Sequence, residues 1–353
     1  MNLNDTAAFQ TLDTGQMLAH IDALPEQLQH AWELGLDAPL PAWDNIRQVL
    51  IAGMGGSAIG GDLLAAYVAP FCPIPIYVHR DYGLPAWARG ADTLVIASSH
   101  SGNTEEVLDA LQHAIQRGCR SLAISRGGAL TSAAEAAGIP IWRFEHTGQP
   151  RAAVGFSFGL LLAVLHHLGL IANPESELKG AVAAMKTAQN HLRADVPDVH
   201  NPAKRLAGQL VGRLVAVIGS DVLAPVARRW KTQINELAKA WGQFEALPEA
   251  DHNLLAGCLN PQETFNRLAV LFLQAPSDHP RNRQRSDLTR KILMLSGIST
   301  DVYFATGDSR LAHLWTALHF GDYTAYYLAM AYQVDPSPVE AIESLKQQLA
   351  GGV

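Results

Sequence analysis

Short apolar runs alternate with stretches of helical spacing over most of the chain, and glycine or hydroxyl-bearing residues lie at many of the junctions. The first clear unit is an apolar run at 48–54 that passes through glycines into a helical pattern from Asp62 onward. Further apolar runs follow at 74–78, 94–98, 122–125 and 139–144, separated by helical patterns such as those at 104–117 and 130–137. Strands that alternate with helices form a parallel sheet with helices on both faces, so this half predicts an α/β domain.

The same pattern begins again in the second half of the chain. An apolar run at 214–220 ends in Gly219-Ser220 and leads into a helical pattern from Ala224, much as the earlier run leads through Gly56-Ser57. Further strands are predicted at 268–273 and 301–304, with helices from residue 289, at 311–332 and at 339–349. Two openings of the same kind favour a duplicated α/β domain.

The chain is predicted to divide into three regions. Residues 1–172 form an N-terminal domain with a helical extension at its start, closed by an apolar helix at 154–171. The stretch 173–209 is more polar and carries three prolines, so it is interpreted as a helical connector. Residues 210–353 form a C-terminal domain, in which the segment 335–338, Asp-Pro-Ser-Pro, breaks the chain before a last short helix.

Charge and composition exclude several classes of function. Lys and Arg number 26 against 33 Asp and Glu, a formal net charge of −7, so no basic surplus indicates nucleic-acid binding. No apolar run approaches the roughly 20 residues of a membrane span, and the first residues have no leader pattern, so we expect a soluble, cytoplasmic protein with no membrane partner. Cys72, Cys119 and Cys258 are widely spaced, which predicts three buried, reduced thiols instead of disulfides or a zinc site.

A dense run of glycines, from Gly53 to Gly61, lies where the first strand meets its helix. Backbone N–H groups at a helix N-terminus bind anions, and glycine lets a ligand approach the backbone. Residues 53–58 fit the G-x-G-x-x-A pattern of dinucleotide-binding folds, although Asp81 lies later than the expected ribose-binding carboxylate and no Walker A lysine is present. The run favours a ligand-binding loop, with a plain tight turn as the alternative.

A second loop, Ser-Ser-His-Ser-Gly-Asn-Thr-Glu-Glu at 98–106, opens the helix that follows the strand at 94–98. Hydroxyls can donate to phosphate oxygens while helix N–H groups supply further donors, so the loop suits a phosphomonoester. The alternative is helix capping by Ser101 or Asn103, with Glu105 or Glu106 beside the positive end of the helix dipole. Because capping explains only one or two of the hydroxyls, the pattern favours phosphate binding.

These loops, together with Pro150-Arg151, Asn235-Glu236 and His252-Asn253, resemble the bifunctional phosphoglucose/phosphomannose isomerases of the sugar isomerase (SIS) superfamily. The resemblance extends over nearly the whole chain, since it includes Leu-Pro-Glu-Gln at 24–27, Gly-Asp-Tyr at 321–323 and the segment 335–338. It implies two SIS domains, each a parallel five-stranded sheet flanked by helices in three αβα layers. One departure is His100, where the family commonly carries tyrosine.

The resemblance also implies roles for individual side chains. Glu236 corresponds to the proton-transfer base, Arg151 to the cation that stabilises the enediolate, and His252 to the group that opens the sugar ring in a partner subunit's pocket. Lys346 resembles a C-terminal lysine that reaches back to the sugar. The residues implied in substrate binding are Gly56, Ser57, Ser99, Ser101, Thr104 and Arg151. No metal or other cofactor is implied, because hydrogen moves as a proton within one molecule, and the expected assembly is a homodimer with shared active sites.

From the residues alone, each of the four catalytic candidates has an ordinary structural explanation. A glutamate in a helical stretch, such as Glu236, usually faces solvent, and most of the 14 histidines, including His252, are expected to be structural or exposed. Arg151 could be a surface guanidinium, and a lysine of a terminal helix such as Lys346 is usually solvated. The functional assignment of these residues therefore depends on the resemblance.

The predicted function is an aldose–ketose isomerase that interconverts glucose 6-phosphate, and also mannose 6-phosphate, with fructose 6-phosphate through a cis-enediol. Two alternatives remain open. A non-catalytic regulator would bind sugar phosphates with the same fold. An NAD(P)-dependent oxidoreductase would instead bind its cofactor at the loop 53–58.

Overall fold

Two parallel β-sheets form the framework of the protein, and the computed structural model describes residues 2–351. The first sheet has five parallel strands in the order β2-β1-β3-β4-β5. Their ranges are Gln48–Ala52 (β1), Ile76–His79 (β2), Thr93–Ser99 (β3), Arg120–Ser125 (β4) and Ile141–Arg143 (β5). The alternating pattern of the first half thus predicted this sheet correctly.

Helices cover both faces of the first sheet, because successive side chains of each strand point to opposite faces. Val49 and Ile51 belong to the large core cluster on one face, whereas Leu50 belongs to a smaller cluster on the other. The first face is covered by α3 (Leu24–Asp37), α4 (Gly55–Val68) and α7 (Val154–His167), and the second by α5 (Glu105–Gln116) and α6 (Gly128–Ala136). Two short helices, α1 (Thr6–Leu12) and α2 (Met17–Asp22), precede them as the predicted N-terminal extension.

The second sheet has four parallel strands within residues 2–351, where five were expected, in the order β7-β6-β8-β9. They are Leu214–Ser220 (β6), Gly242–Leu247 (β7), Leu268–Gln274 (β8) and Ser299–Phe304 (β9). In the first half, α6 and β5 lie between β4 and α7, but a short loop joins β9 directly to α12 (Arg310–Tyr332). The sequence pattern missed β7, because this edge strand alternates too weakly to stand out.

One apolar cluster extends across both sheets and joins the two halves of the chain. On the second sheet, α10 (Ala224–Glu236) and α12 pack on the face that contributes to this cluster, and α11 (Pro280–Leu295) covers the other. α8 (Glu175–Gln189) and α9 (Pro202–Leu210) occupy the predicted connector and pack against α12, which is buried from Leu311 to Met330. α13 (Glu340–Ala350) follows at the end. The domain limits at 172 and 209 stay a prediction.

Two expectations about the surface can be compared with the structure. Cys72, Cys119 and Cys258 are unpaired, but each is half-buried instead of buried. No helix among residues 2–351 combines the length and the apolar character that crossing a membrane would require.

The buried imidazole of His319 should make the protein less stable in acid. His319 lies on α12, and its Nε2 is 2.8 Å from the carbonyl oxygen of Ile21 on α2. Burial lowers the pKa of His319 from 6.5 to about 4. The unfolded chain therefore binds a proton at a higher pH than the native protein, so this contribution to stability is complete above pH 6.5 and is lost as the pH falls toward 4.

We expect the melting temperature to fall between about pH 7 and about pH 5, and to fall less for His319→Gln than for the native protein. Glutamine keeps an N–H donor for the Ile21 carbonyl but does not titrate. Calorimetric melting at several pH values measures the slope of melting temperature against pH for each protein. Equal slopes for the two proteins would mean that His319 does not contribute to acid sensitivity.

Candidate active site

The two predicted loops lie side by side at the carboxyl edge of the first sheet. β1 and β3 are hydrogen-bonded neighbours. The connection after β1 leads to β2 on one side, whereas the connection after β3 leads to β4 on the other. Such a switch point opens a crevice in which α/β sheets commonly bind ligands, so the loops 53–57 and 99–104 line a candidate binding crevice.

Gly56 packs against the short turn that carries Arg151. α4 begins at Gly55, and only two residues of the glycine loop separate it from the end of β1. A Cβ atom on residue 56 would lie 2.6 Å from the carbonyl oxygen of Pro150, closer than real Cβ atoms approach, so this position requires glycine. The contact joins the glycine loop to the 3-10 helix Pro150–Ala152.

Hydrogen bonds within the second loop fix its hydroxyl groups. Ser99 Oγ lies 2.8 Å from the hydroxyl of Thr104 and accepts the backbone N–H of Gly102 at 3.1 Å. Ser101 Oγ accepts the backbone N–H of Asn103 at 3.2 Å. Ser99 is buried whereas Ser101 is exposed, so Ser99 braces the loop and Ser101 presents its hydroxyl to the surface.

Neither Ser101 nor Asn103 caps the helix that follows this loop, although Glu105 and Glu106 do lie in its first turn. The N-cap of α5 is Thr104, and no side chain caps this helix. Ser101 accepts a hydrogen bond from its own loop, and Asn103 Oδ1 accepts the backbone N–H of Ala129 at 3.0 Å. The side chains of Ser101 and Asn103 are therefore not explained by the start of α5.

The two loops are joined through Ser57, whose buried Oγ accepts the backbone N–H of His100 at 3.3 Å. Because backbone N–H groups occupy acceptor positions on Ser57 and Ser101, their hydroxyl protons remain available for another acceptor. α4 has no acidic residue in its first turn, whereas α5 has Glu105 and Glu106 there. An anion is therefore more favourable at the N-terminus of α4 than at that of α5.

The guanidinium of Arg151 is 3% exposed and contacts both halves of the chain. Its Nη2 donates to the carbonyl oxygens of Pro336, at 2.8 Å, and of Ser337. Nη1 lies 3.5 Å from Oε2 of Glu236. Burial lowers the pKa of Arg151, and the Glu236 carboxylate opposes that effect. Nε is buried without a hydrogen-bond partner among residues 2–351.

Glu236 is the last residue of α10, and its side chain is 26% exposed. Because α10 packs against α4, a residue of the second half of the chain comes close to the glycine loop. The side chain lines an open cavity of about 820 Å³ together with Lys239 and Trp241. A partly buried carboxylate beside a buried cation can take and return a proton where negative charge develops.

Lys239 is a second cation at this site, and the sequence reasoning missed it. Its Nζ donates to the backbone carbonyl of Glu236 at 2.5 Å and lies 3.4 Å from that of Pro336, which Arg151 also contacts. Burial lowers the pKa of Lys239 to about 8, and the charge of Arg151 acts in the same direction. The only signal in the sequence is its position three residues after Glu236.

His252 lies away from the other predicted catalytic residues of the same chain. α10 begins beside the carboxyl end of β6 and runs antiparallel to that strand. Glu236, its last residue, therefore lies near the edge of the second sheet where the parallel strands begin. β7 then crosses the sheet, and His252 follows its carboxyl end in the 3-10 helix Glu249–His252. A six-residue strand spans about 20 Å, so the two residues lie at opposite edges of the sheet. The side chain of His252 is exposed.

Lys346 is exposed on α13, and no hydrogen bond or ion pair involves its side chain within the described residues. The start of the same helix, Glu340 to Ile342, lines the cavity that contains Glu236. Lys346 therefore lies about one turn beyond the wall of the cavity. Its predicted contact with the sugar stays a prediction.

His100, the departure from the family pattern, packs against His146 and Phe144. Its Nε2 lies 3.0 Å from Nδ1 of His146, and its ring packs edge-on against Phe144. Burial lowers the pKa of both His100 and His146 to about 4, with a further lowering from neighbouring positive groups. The pair is therefore neutral near pH 7.

A larger cavity, about 1020 Å³, lies between α8, α9 and β9, and none of the predicted site residues lines it. Within residues 2–351, no cluster of three or more His, Cys, Asp or Glu side chains has an arrangement that could hold a metal ion.

Comparisons with known proteins show which family this chain resembles. Residues 199–349 match the family model described as the bacterial phospho-glucose isomerase C-terminal SIS domain. The chain is 39% identical to a bifunctional phosphoglucose/phosphomannose isomerase of Caldicellulosiruptor bescii, over 95% of this chain and 99% of that protein. It is 34% identical to the protein of the same name from Aquifex aeolicus, over 85% of this chain and 90% of that one.

Solved structures share the fold at lower sequence identity. A glucose-6-phosphate isomerase like protein from Thermus thermophilus superposes with a TM-score of 0.63 at 21% identity, covering 96% of this chain and 98% of that one. The C-terminal domain of glucosamine-fructose-6-phosphate aminotransferase from Francisella tularensis gives a TM-score of 0.70 at 13% identity, covering 92% and 98%. These likenesses support the two-sheet α/β architecture.

Proposed function

The chain belongs to the bifunctional phosphoglucose/phosphomannose isomerase family, and we propose that it interconverts glucose 6-phosphate and mannose 6-phosphate with fructose 6-phosphate in the cytoplasm. The observation that carries this proposal is the contact between Arg151 and Glu236, 3.5 Å apart, beside the loop of Gly56. A base and an oxyanion-stabilising cation thus meet next to an anion-binding helix terminus. The three unpaired cysteines are compatible with a reducing compartment.

The phosphate binds in the crevice between the two loops. Ser57 and Ser101 donate their hydroxyl protons, and N–H groups at the N-terminus of α4, including that of Gly56, complete the donor set. Ser99 and Thr104, hydrogen-bonded to each other, keep the second loop in shape. The acidic first turn of α5 directs the dianion toward α4.

Proton transfer then takes place at the first two carbons of the open-chain sugar. The Glu236 carboxylate takes the proton from C2 of the aldose, and the electron pair forms a C1=C2 bond while the C1 carbonyl oxygen becomes an oxyanion. The guanidinium of Arg151, whose Nη1 lies 3.5 Å from the Glu236 carboxylate, stabilises this charge. Glu236 returns its proton to C1, and the proton of the C2 hydroxyl passes to the oxyanion on O1, so that C2 becomes the ketose carbonyl, C1 carries a hydroxyl, and no hydrogen is gained or lost overall.

Both C2 epimers can pass through one intermediate. Removal of the C2 proton abolishes the configuration at that carbon, so glucose 6-phosphate and mannose 6-phosphate give the same enediol. Rotation about the C2–C3 bond of the open chain presents either face to the single base. The proton shift needs no redox cofactor, because one molecule supplies both the hydrogen and its acceptor.

A direct assay of both substrates tests the reaction. We expect fructose 6-phosphate to form from glucose 6-phosphate and from mannose 6-phosphate, with no nicotinamide added and at unchanged rate after treatment with a chelator. Binding of these sugars without turnover would favour a regulatory protein instead. A requirement for NAD(P) would favour an oxidoreductase.

The active site is shared between two subunits of a homodimer, with His252 donated by the partner. Within one chain, His252 and Glu236 lie at opposite edges of the second sheet and cannot act on the same sugar. The segment after His252 carries the exposed Leu259, and the cavity of Glu236 opens beside the exposed Trp241; each of these two side chains is 69% exposed. Contact between these surfaces in a second copy would cover both apolar groups and bring an imidazole to the ring oxygen.

Mixing two inactive variants tests this sharing. Glu236→Gln and His252→Ala homodimers should each be nearly inactive, and random reassociation should restore about a quarter of native activity, because half of the dimers then hold one intact site of two. Unfolding and refolding the two variants separately provides the control. No recovery in the mixture, with heterodimers present by mass spectrometry, would contradict a shared site.

A further inference from the structure

We propose that Arg229 and Asp322 form a positioning pair that holds Arg151 in place through the backbone carbonyl of Arg151. This inference rests on the proposed function. The two side chains are almost completely buried, at 1% and 2% exposure. Arg229 Nε donates to Oδ1 of Asp322 at 3.1 Å and Nη2 to Oδ2 at 2.8 Å, a two-pronged ion pair. The same Nη2 donates to the backbone carbonyl of Arg151 at 2.7 Å.

The turn that carries Arg151 depends on side chains for its hydrogen bonds. The carbonyl of Arg151 would normally accept the N–H of Gly155 within a helix, but that N–H donates to Oε1 of Gln27 at 2.8 Å. The amide of Gln27 in turn donates to the carbonyl of Ala152 at 2.9 Å. Arg229 therefore supplies the donor that the local backbone does not, and the turn is held by residues distant in the sequence.

α10 constrains both ends of Arg151. Arg229 binds its backbone, and Glu236, two turns later on the same helix, meets its guanidinium. Asp322, from α12, neutralises and orients Arg229. The distance between the cation and the carboxylate of the proposed reaction is thereby fixed through one rigid element. This gives a role to two sequence features that the reaction itself does not use, Gln27 and the segment 321–323.

A purely structural ion pair can be replaced by apolar residues. Buried pairs exchanged for well-packed apolar side chains often leave a protein as stable as before, whereas loss of one partner leaves an uncompensated charge. An apolar pair at 229 and 322 would keep the packing but offer no donor to the carbonyl of Arg151. The two explanations, structure and positioning, therefore predict different outcomes for the double variant.

The decisive experiment compares Arg229→Met/Asp322→Leu with native enzyme in melting temperature, kcat and KM. We expect a melting temperature near the native value, a loss of at least about tenfold in kcat, and little change in KM, because the phosphate crevice is untouched. The variant Arg229→Lys, which keeps one donor, should retain more of the native kcat than the double variant.

Lys204→Met is the matched control. Lys204 is also a buried cation, and its Nζ donates to the backbone carbonyls of Ala194 and Val196 at 2.7 and 2.9 Å, away from the site. We expect this variant to melt at a lower temperature with native kcat. Native kcat in the double variant, or an equal loss in Lys204→Met, would overturn the positioning role. Failure of the native enzyme to isomerise either sugar would instead overturn the proposed function itself.

Discussion

Replacing Glu236 with glutamine is expected to lower kcat for both aldose phosphates by at least about 10²-fold, because the amide can neither take nor return a proton. The side chain has nearly the same size and shape, so the end of α10 and the packing of the site should persist. The contact with Arg151 changes from an ion pair to a weaker polar contact. Substrate affinity should change little, since the phosphate is held by the other half of the site.

Steady-state kinetics gives kcat and KM of the variant, and melting curves show whether it is folded. Glu245→Gln is a suitable control. Glu245 is a half-buried glutamate of the neighbouring strand β7 and lies outside the cavity that Glu236 lines. The control should keep native kcat. A Glu236→Gln enzyme with near-native kcat would remove this residue as the base, whatever the behaviour of the control.

Replacing Arg151 is expected to have an effect of similar size, about 10²- to 10³-fold in kcat, because the developing oxyanion loses its principal donor. Arg151→Lys is the more informative variant, since it keeps the charge and can still donate to the carbonyl of Pro336. A single ammonium cannot serve that carbonyl, Glu236 and the substrate together. We therefore expect loss of kcat in Arg151→Lys even where its melting temperature is close to native.

The control for arginine removal is Arg143→Met. Arg143 forms an ion pair with Glu135, and both side chains are more than half exposed. An exposed pair contributes little to stability, so both kcat and melting temperature should remain native. Arg151→Lys with native kcat and raised KM would indicate that Arg151 binds substrate without stabilising the enediolate.

The two loops of the proposed site depend on local sequence, and the structure has both of them at the ends of predicted strands. The glycine run and the hydroxyl run each follow an apolar strand, and a strand that ends in such a run and leads into a helix fixes the loop locally. Once β1 and β3 are neighbours, the two loops must meet at the same edge of the sheet. The first sheet and the crevice thus follow from short-range patterns.

Contacts between distant segments could not be predicted from these patterns. Nothing in the local sequence indicates that Arg151 meets Glu236, or that its turn is held by Gln27 and Arg229. These contacts result from the packing of α10 and α12 against the first half of the chain. The expectation of five strands in the second sheet came from the family resemblance, whereas the apolar pattern itself indicated only β6, β8 and β9 of the four strands that the structure describes.

Hydrogen exchange at C2 tests the central claim most directly. In D₂O, native enzyme should introduce deuterium at C2 of glucose 6-phosphate formed from fructose 6-phosphate, as NMR would detect. Glu236→Gln should bind the sugar phosphate with native affinity, measured by calorimetry, yet introduce none over the same time. Exchange at the native rate in Glu236→Gln would contradict the account, because another group would then move the proton.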